Sequence, residues 1–132
     1  MQRDNDMNIE IVLKDKLSQE PANESESENV ICNTTDLIEN SGVCALINGE
    51  QIALFYLPQN DKKLFALSNW DPIGKANVLS RGISGDIKGT KVVASPLYKQ
   101  HFDLETGICL EDKSIKIKTY SAHIKDGKVF IR

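Results

Sequence analysis

The stretch VCALINGEQIALFYL, residues 43–57, gives the clearest indication of local structure in the sequence. Its two apolar runs, residues 43–47 and 51–57, flank the dipeptide Asn48-Gly49. Asn and Gly tolerate positive φ, which the tight turn of a β-hairpin requires. The stretch therefore predicts two antiparallel strands joined by that turn.

Further strands are predicted on the C-terminal side of this hairpin. Apolar or alternating runs of strand length follow at residues 64–67, 91–94, 115–119, 123–125 and 128–131. The last two runs flank Asp126-Gly127, which predicts a second hairpin. One helical turn, capped by Thr34 and Thr35, is predicted at residues 36–40. Because no long amphipathic helix is evident, the pattern predicts one small antiparallel sandwich or barrel.

The N-terminal part of the sequence has a different character. Residues 18–29, SQEPANESESEN, offer almost no apolar surface whose burial could offset the entropy lost on ordering. Before them, Met7, Ile9, Ile11 and Leu13 alternate with mostly polar residues, and this strand period fits either an edge strand or a loosely held arm. We therefore divide the chain into a flexible acidic extension, residues 1–27, and one domain, residues 28–132.

The cysteines and the charge distribution indicate the cellular compartment and the kind of partner. Cys32, Cys44 and Cys109 are widely separated and have apolar neighbours, which predicts buried thiols in a reducing cytoplasm. Residues 1–59 carry 3 Lys and Arg against 11 Asp and Glu, whereas residues 60–132 carry 13 against 8. The lysines are interleaved with acidic residues, and no apolar run approaches a membrane span. The pattern predicts a protein partner and argues against nucleic acid and membrane.

Two later segments resemble the halves of a Rieske iron-sulfur motif. The first is NWDPI at residues 69–73, and the second is SPLY at residues 95–98 followed by FDLETG at residues 102–107. In the ligand-bearing family the loops carry Cys-x-His and Cys-x-x-His, with two thiolates on one iron and two imidazoles on the other. The resemblance implies an all-β, Rieske-like antiparallel sandwich with two projecting loops.

The four ligand positions of that motif hold different residues here, namely Asp71, Ile73, Ser95 and Tyr98. An alkyl group, a neutral hydroxyl and a phenol are poor substitutes for thiolate and imidazole around a soft iron-sulfide core. Another metal held by Asp71, Asp103 and His101 is a weaker alternative, because no Cys pair or helical His spacing accompanies them. We predict no metal ligand, no cofactor and no catalytic residue in this chain.

Residues 28–132 as a whole resemble the small subunits of assimilatory NADH-dependent nitrite reductase. The resemblance rests on SNWDPIGKANVLSRGISGDIKG at residues 68–89 and VVASPLYKQHFDLETGICLED at residues 92–112. It implies a non-catalytic, cytoplasmic subunit that works with a large flavin, iron-sulfur and sirohaem subunit reducing nitrite to ammonia. The alternatives are a Rieske-type ferredoxin electron carrier and a free-standing protein-interaction module.

Each loop residue also has a structural interpretation. We expect Asp71 to cap the turn at Pro72, Ser95 to fill the space of a cysteine sulfur, and Tyr98 to close the cluster cavity with its ring. Trp70 is either a docking anchor or a core residue between the loops. Trp70, Tyr98 and Lys99 are the predicted partner-binding residues, and Ser95→Ala is expected to leave partner binding nearly unchanged.

Overall fold

The computed structural model describes residues 10–13 and 29–132 of the chain. Within these residues, thirteen strands and two single 3-10 turns make up the regular structure. The strands are β1 (Glu10–Leu13), β2 (Asn29–Asn33), β3 (Ser41–Ile47), β4 (Glu50–Tyr56), β5 (Leu64–Ser68), β6 (Trp70–Asp71), β7 (Ala76–Asn77), β8 (Ile83–Ile87), β9 (Thr90–Ala94), β10 (His101–Asp103), β11 (Thr119–Tyr120), β12 (Ala122–Lys125) and β13 (Lys128–Ile131).

The central sheet has five strands in the order β1-β3-β4-β5-β11. Its neighbouring strands run antiparallel, except for β1 and β3, which run parallel. The β3-β4 hairpin is the one that the sequence predicts. Asn48 and Gly49 form its turn with φ of 52° and 84°, in the left-handed region that Asn and Gly adopt more readily than other residues.

The central sheet is covered on both faces, and for this reason its strands are apolar at nearly every position. Along β4, Ile52 and Leu54 pack into one cluster with residues of β2 and β13. Ala53 and Phe55 point to the opposite face and pack with residues of β9 and β10. The outer layers are two antiparallel three-stranded sheets, β12-β13-β2 and β10-β9-β8. The predicted all-β antiparallel architecture is confirmed.

The second predicted hairpin is also present. Strands β12 and β13 pair in antiparallel register with Lys125 opposite Lys128. Asp126 and Gly127 form the connecting turn with φ of 53° and 74°. The turn dipeptide in the sequence therefore located this hairpin correctly.

The helical turn near residue 36 is shorter and earlier than predicted. A 3-10 turn spans Thr34–Asp36, and Asn33 is its N-cap instead of Thr34 or Thr35. The Asp36 carboxylate accepts a hydrogen bond from the backbone N–H of Asn33 at 3.0 Å. Leu37 is extended, with φ −93° and ψ 160°, and packs against the core. The turn therefore ends at Asp36, and the next residue, Leu37, packs against the core.

The strand predicted at residues 115–119 is shorter than expected. The alternation of apolar residues with lysines there correctly indicated that Ile117 is buried. Ile117 is buried, whereas only Thr119–Tyr120 forms a strand, β11. The backbone N–H of Ile117 donates to the carbonyl of Gly107 at 2.8 Å, and the Ile115 carbonyl accepts from Cys109 at 3.0 Å. These bonds hold the segment across the loop after β10 instead of along the sheet.

Part of the N-terminal extension lies at the edge of the central sheet. Residues 10–13 form β1, so the edge-strand alternative holds for Ile11 and Leu13. Met7 and Ile9, like the rest of residues 1–9 and 14–28, lie outside the described residues. The flexibility of the extension and the boundary at residue 28 stay predictions.

The three cysteines are buried, as predicted, and none forms a disulfide. In the part of the chain that the structure describes, no helix has the length and apolar character needed to span a membrane.

Candidate functional site

The two segments singled out in the sequence form two loops that contact each other. Loop A comprises residues 69–82 and contains the short β6-β7 hairpin and a 3-10 turn at Leu79–Arg81. Loop B comprises residues 95–100 and connects β9 to β10. A buried side-chain hydrogen bond joins the loops, so the pair forms one structural unit.

Asp71 organises the turn of loop A. Its side chain is 0 % exposed, and its Oδ1 accepts hydrogen bonds from the backbone N–H of Ile73 at 2.8 Å and of Gly74 at 3.0 Å. The capping interpretation of Asp71 therefore agrees with the geometry. Both lone-pair directions of Oδ1 are used by the loop's own backbone.

Ser95 links loop B to loop A through a buried hydrogen bond. Its side chain is 0 % exposed, and its Oγ donates to Oδ2 of Asp71. The same Oγ accepts the backbone N–H of Leu97 at 3.2 Å. The two positions that the resemblance assigns to cysteine ligands thus meet directly through a side-chain hydrogen bond.

The two loops repeat one backbone arrangement. In DPIGK, residues 71–75, and in SPLYK, residues 95–99, the first side chain accepts the N–H of the third residue. The first carbonyl accepts the N–H of the fifth residue, at 2.7 Å for Lys75 and 3.0 Å for Lys99. Both lysines have positive φ, 57° and 65°. This repeat of a polar residue, Pro, an aliphatic residue and a Lys was a sequence signal that the motif comparison did not use.

Asn69 fixes loop A to the central sheet, and sequence reasoning did not assign it a role. It is 2 % exposed. Its Oδ1 accepts the N–H of Ser80 at 2.6 Å, and its Nδ2 donates to Oε1 of Gln51 at 3.0 Å. The available signal was an amide residue two positions after the apolar run 64–67, because a buried amide needs hydrogen-bond partners.

The loop tips carry exposed apolar side chains. Trp70 is 43 % exposed, Leu97 44 % and Tyr98 63 %. The expectation that Tyr98 closes a cavity is wrong, because its ring projects into solvent. Leu97 makes a second contact between the loops, since a Cβ atom at Gly74 would overlap its Cδ1. Trp70 is a surface residue, which excludes the core alternative for it.

Basic side chains of the two loops are also exposed. Lys75, Arg81 and Lys99 are exposed on the loops. On the adjacent strands β8 and β9, Lys91 Nζ lies 2.6 Å from Oδ2 of Asp86, and the hydrogen bond from Lys91 lowers the pKa of that carboxyl. Loops A and B therefore expose both apolar and basic side chains.

The four positions do not fit a [2Fe-2S] cluster. The Asp71 carboxyl is engaged by two backbone N–H groups and by Ser95, Ile73 has no donor atom, and Tyr98 points into solvent. The alkyl group of Leu97 lies against Gly74 between the loops. A soft iron-sulfide core requires thiolate and imidazole ligands that this set lacks.

The alternative metal set of Asp71, Asp103 and His101 is not brought together. His101 Nδ1 lies 2.6 Å from Oε2 of Glu111, and Asp103 caps its own turn by accepting the N–H of Glu105 at 2.7 Å. Burial favours a raised pKa for Glu111, but hydrogen bonds from His101 outweigh it and lower that pKa. Within residues 10–13 and 29–132, no three His, Cys, Asp or Glu side chains form a metal-binding group.

Comparison with known proteins agrees with this fold. Residues 29–132 match the Rieske-like [2Fe-2S] domain family. The NADH nitrite reductase small subunit of Salmonella typhimurium is 47 % identical over 102 residues, which are 77 % of this chain and 94 % of that protein. The NMR structure of the Escherichia coli protein NirD has a TM-score of 0.71 at 42 % identity and covers 80 % of this chain and 96 % of its own.

Two further likenesses are informative. The ferredoxin of carbazole 1,9a-dioxygenase from Nocardioides aromaticivorans shares the fold with a TM-score of 0.67 at 14 % identity, covering 80 % of this chain and 97 % of that one. The nitrite reductase NAD(P)H large subunit of Klebsiella oxytoca contains a segment, 11 % of its length, that is 35 % identical over 112 residues, or 85 % of this chain. The chain belongs to the Rieske-like [2Fe-2S] domain family and, within it, to the small subunits of NADH-dependent nitrite reductase.

Proposed function

We propose that this chain is a non-catalytic subunit that binds the large subunit of nitrite reductase and supports reduction of nitrite to ammonia at the sirohaem centre of that subunit. In this role it serves nitrate assimilation in the cytoplasm. Buried cysteines without disulfides are compatible with a reducing compartment.

One observation carries the non-catalytic role. Asp71 and Ser95 are hydrogen-bonded to each other and to the backbone, Ile73 packs against the core without a donor atom, and Tyr98 is exposed, so none of the four is left to hold a redox centre. The loops keep their shape through Asp71 and Ser95. We infer that the two loops serve as a surface that binds the partner subunit.

The Klebsiella relative supports partnership with the large subunit. In that protein a segment similar to this chain lies within the same polypeptide as the large subunit. Covalent linkage places two domains at high effective concentration, which suits domains that act together. A separate small subunit needs a binding surface to achieve the same association.

We assign that surface to the loop tips, defined as Trp70, Leu97, Tyr98 and Lys99. An exposed Trp and an exposed Tyr are typical of interface anchors. The exposed lysine at the rim suits an acidic partner face and influences the rate of association. The loop tips thus fit a partner surface that is apolar at its centre and acidic at its margin.

The assignment is tested by measuring binding of purified large subunit to the chain. Trp70→Ala should weaken binding about 30-fold, as expected for an anchor worth about 2 kcal/mol. Lys99→Glu should weaken it about fivefold, with stronger loss at low salt. Lys125→Glu, an exposed lysine on the β12-β13 hairpin, is the matched control and should bind as wild type.

An activity assay separates the accessory role from catalysis. NADH-dependent nitrite reduction is measured for the large subunit alone, for the large subunit with this chain, and for this chain alone. We expect the chain to increase the rate or the lifetime of the large subunit and to have no activity by itself. Nitrite reduction by the isolated chain would refute the proposal, and equal binding by all variants would refute the assigned surface.

A further inference from the structure

The central sheet ends at a strand that lies outside the family domain. The Rieske-like family match begins at residue 29, whereas β1 comprises Glu10–Leu13. Among the described strands, β1 has one neighbour, β3, and it pairs with residues 44–47. Without β1 the sheet would end at β3. The N-terminal extension therefore covers an edge that the domain leaves open.

The edge that β1 covers is well suited to pairing with another chain. Strand β3 is seven residues long, has the sequence SGVCALI and carries no charged side chain. One side of its backbone pairs with β4 over all seven residues. A long, apolar, open edge offers backbone donors and acceptors to any extended segment, and natural proteins cover or charge such edges. β3 has no charge of its own to prevent such pairing.

We propose that the β3 edge is a strand-pairing surface for a second copy of this chain, and that β1 is the intramolecular cover that keeps it closed. Two β3 edges related by a two-fold axis are self-complementary and pair antiparallel. Such a pair can use residues 44–47, the part of β3 that β1 covers. β1 uses four residues in a parallel ladder, which is slightly less stable per residue.

The connection of β1 to the domain favours β1 over a second copy at the β3 edge. Residues 14–28 connect β1 to β2, and they are 15 residues long. Because β1 and β3 belong to one chain, their pairing is intramolecular, and a connection of this length corresponds to an effective concentration in about the millimolar range. A second copy at micromolar concentration therefore does not displace β1 in the intact chain. The extension keeps the domain monomeric and free to meet its other partner.

The test removes the cover in the full chain. Successive N–H groups of a strand point to opposite sides, so Ile11→Pro/Val12→Pro removes an N–H that faces β3 whichever residue makes the bond. Molecular mass is measured by light scattering at increasing protein concentration. The double variant should rise from 14.7 kDa toward twice that mass. Wild type and the control Ser18→Pro should stay at 14.7 kDa.

Two further measurements make the result decisive. An excess of a synthetic peptide with the sequence of residues 7–16 should return the double variant to the monomer, because it refills the edge. Hydrogen exchange at the amides of residues 44–47 should accelerate in the monomeric variant at low concentration. If the prolines unfold the domain, the milder Ile11→Gly/Val12→Gly variant should show the same direction.

Three outcomes would overturn the proposal. The first is a folded variant that stays monomeric although residues 44–47 exchange faster, because the open edge then does not pair with a second copy. The second is unchanged protection of residues 44–47, because β1 then is not the cover. The third is pairing of the uncovered edge with the large subunit instead of a second copy.

Discussion

Removing the Ser95 hydroxyl tests the hydrogen bond that joins the two loops. Ser95→Ala leaves Oδ2 of Asp71 without its donor, at a carboxyl that is 0 % exposed, and leaves the N–H of Leu97 without its acceptor. A buried polar group that loses its partner costs about 1–3 kcal/mol, and more when it is charged. We therefore expect the free energy of unfolding to fall by about 2 kcal/mol.

The assay is urea unfolding followed by circular dichroism. For a domain of this size the same loss lowers Tm by roughly 8 °C. Ser84→Ala is the matched control, since the Ser84 hydroxyl donates to the Asn40 carbonyl at 3.0 Å at an exposed site. It should cost less than about 0.5 kcal/mol.

A double-mutant cycle with Asp71→Ala isolates the bond itself. Because the two side chains contact each other, the losses from Asp71→Ala and Ser95→Ala should not add, and the coupling should be about 1–2 kcal/mol. Asp71→Asn should be milder, because its amide can donate to Oγ of Ser95 while Oδ1 keeps the turn. A cost for Ser95→Ala equal to that of Ser84→Ala, or additive losses in the cycle, would refute the reasoning.

Three other predictions concern the scaffold. Gly107 has φ 80°, and a Cβ atom there would overlap the Ile117 carbonyl, so Gly107→Ala should lower the free energy of unfolding by roughly 3 kcal/mol. Gly49 has φ 84° and open space around it, so Gly49→Ala should cost about 1 kcal/mol in the same urea assay. Burial, with Asp36 nearby, raises the pKa of the Cys32 thiol from 9.0 to about 12. The stability from the neutral thiol is complete below pH 9 and is lost as pH rises toward 12. Cys32→Val should therefore flatten the fall in unfolding free energy above pH 9, and an identical fall in both proteins would contradict this. Asn69→Ala removes the acceptor of the Ser80 N–H and should lower the free energy of unfolding by about 2 kcal/mol. Tyr98→Ala, at an exposed tip, should lower it by less than about 0.5 kcal/mol. Similar losses for both would show that Asn69 does not anchor loop A.

Sequence reasoning located the strands where short-range chemistry determines the backbone. Asn48-Gly49 and Asp126-Gly127 marked both hairpins because the left-handed region selects for these residues. The loop motif likewise identified Asp71 and Ser95. Their direct contact joins residues 24 positions apart, and a pattern of residue types along one chain cannot specify that approach.

Side-chain direction was the part that the sequence could not supply. Tyr98 stands at a former ligand position but faces solvent, while its neighbour Leu97 contacts the other loop. The turn at Thr34–Asp36 was displaced because packing of Leu37 competed with local helix preference. In both cases a tertiary contact overrode the local signal.

Measurement of iron and acid-labile sulfide in the purified protein, together with its visible absorption spectrum, tests the central claim most directly. We hold that the loops are closed by Asp71 and Ser95 and serve as a surface. That account predicts a colourless protein with iron and sulfide at background levels, even when it is produced with abundant iron. One [2Fe-2S] cluster per chain, with the corresponding visible bands, would contradict it.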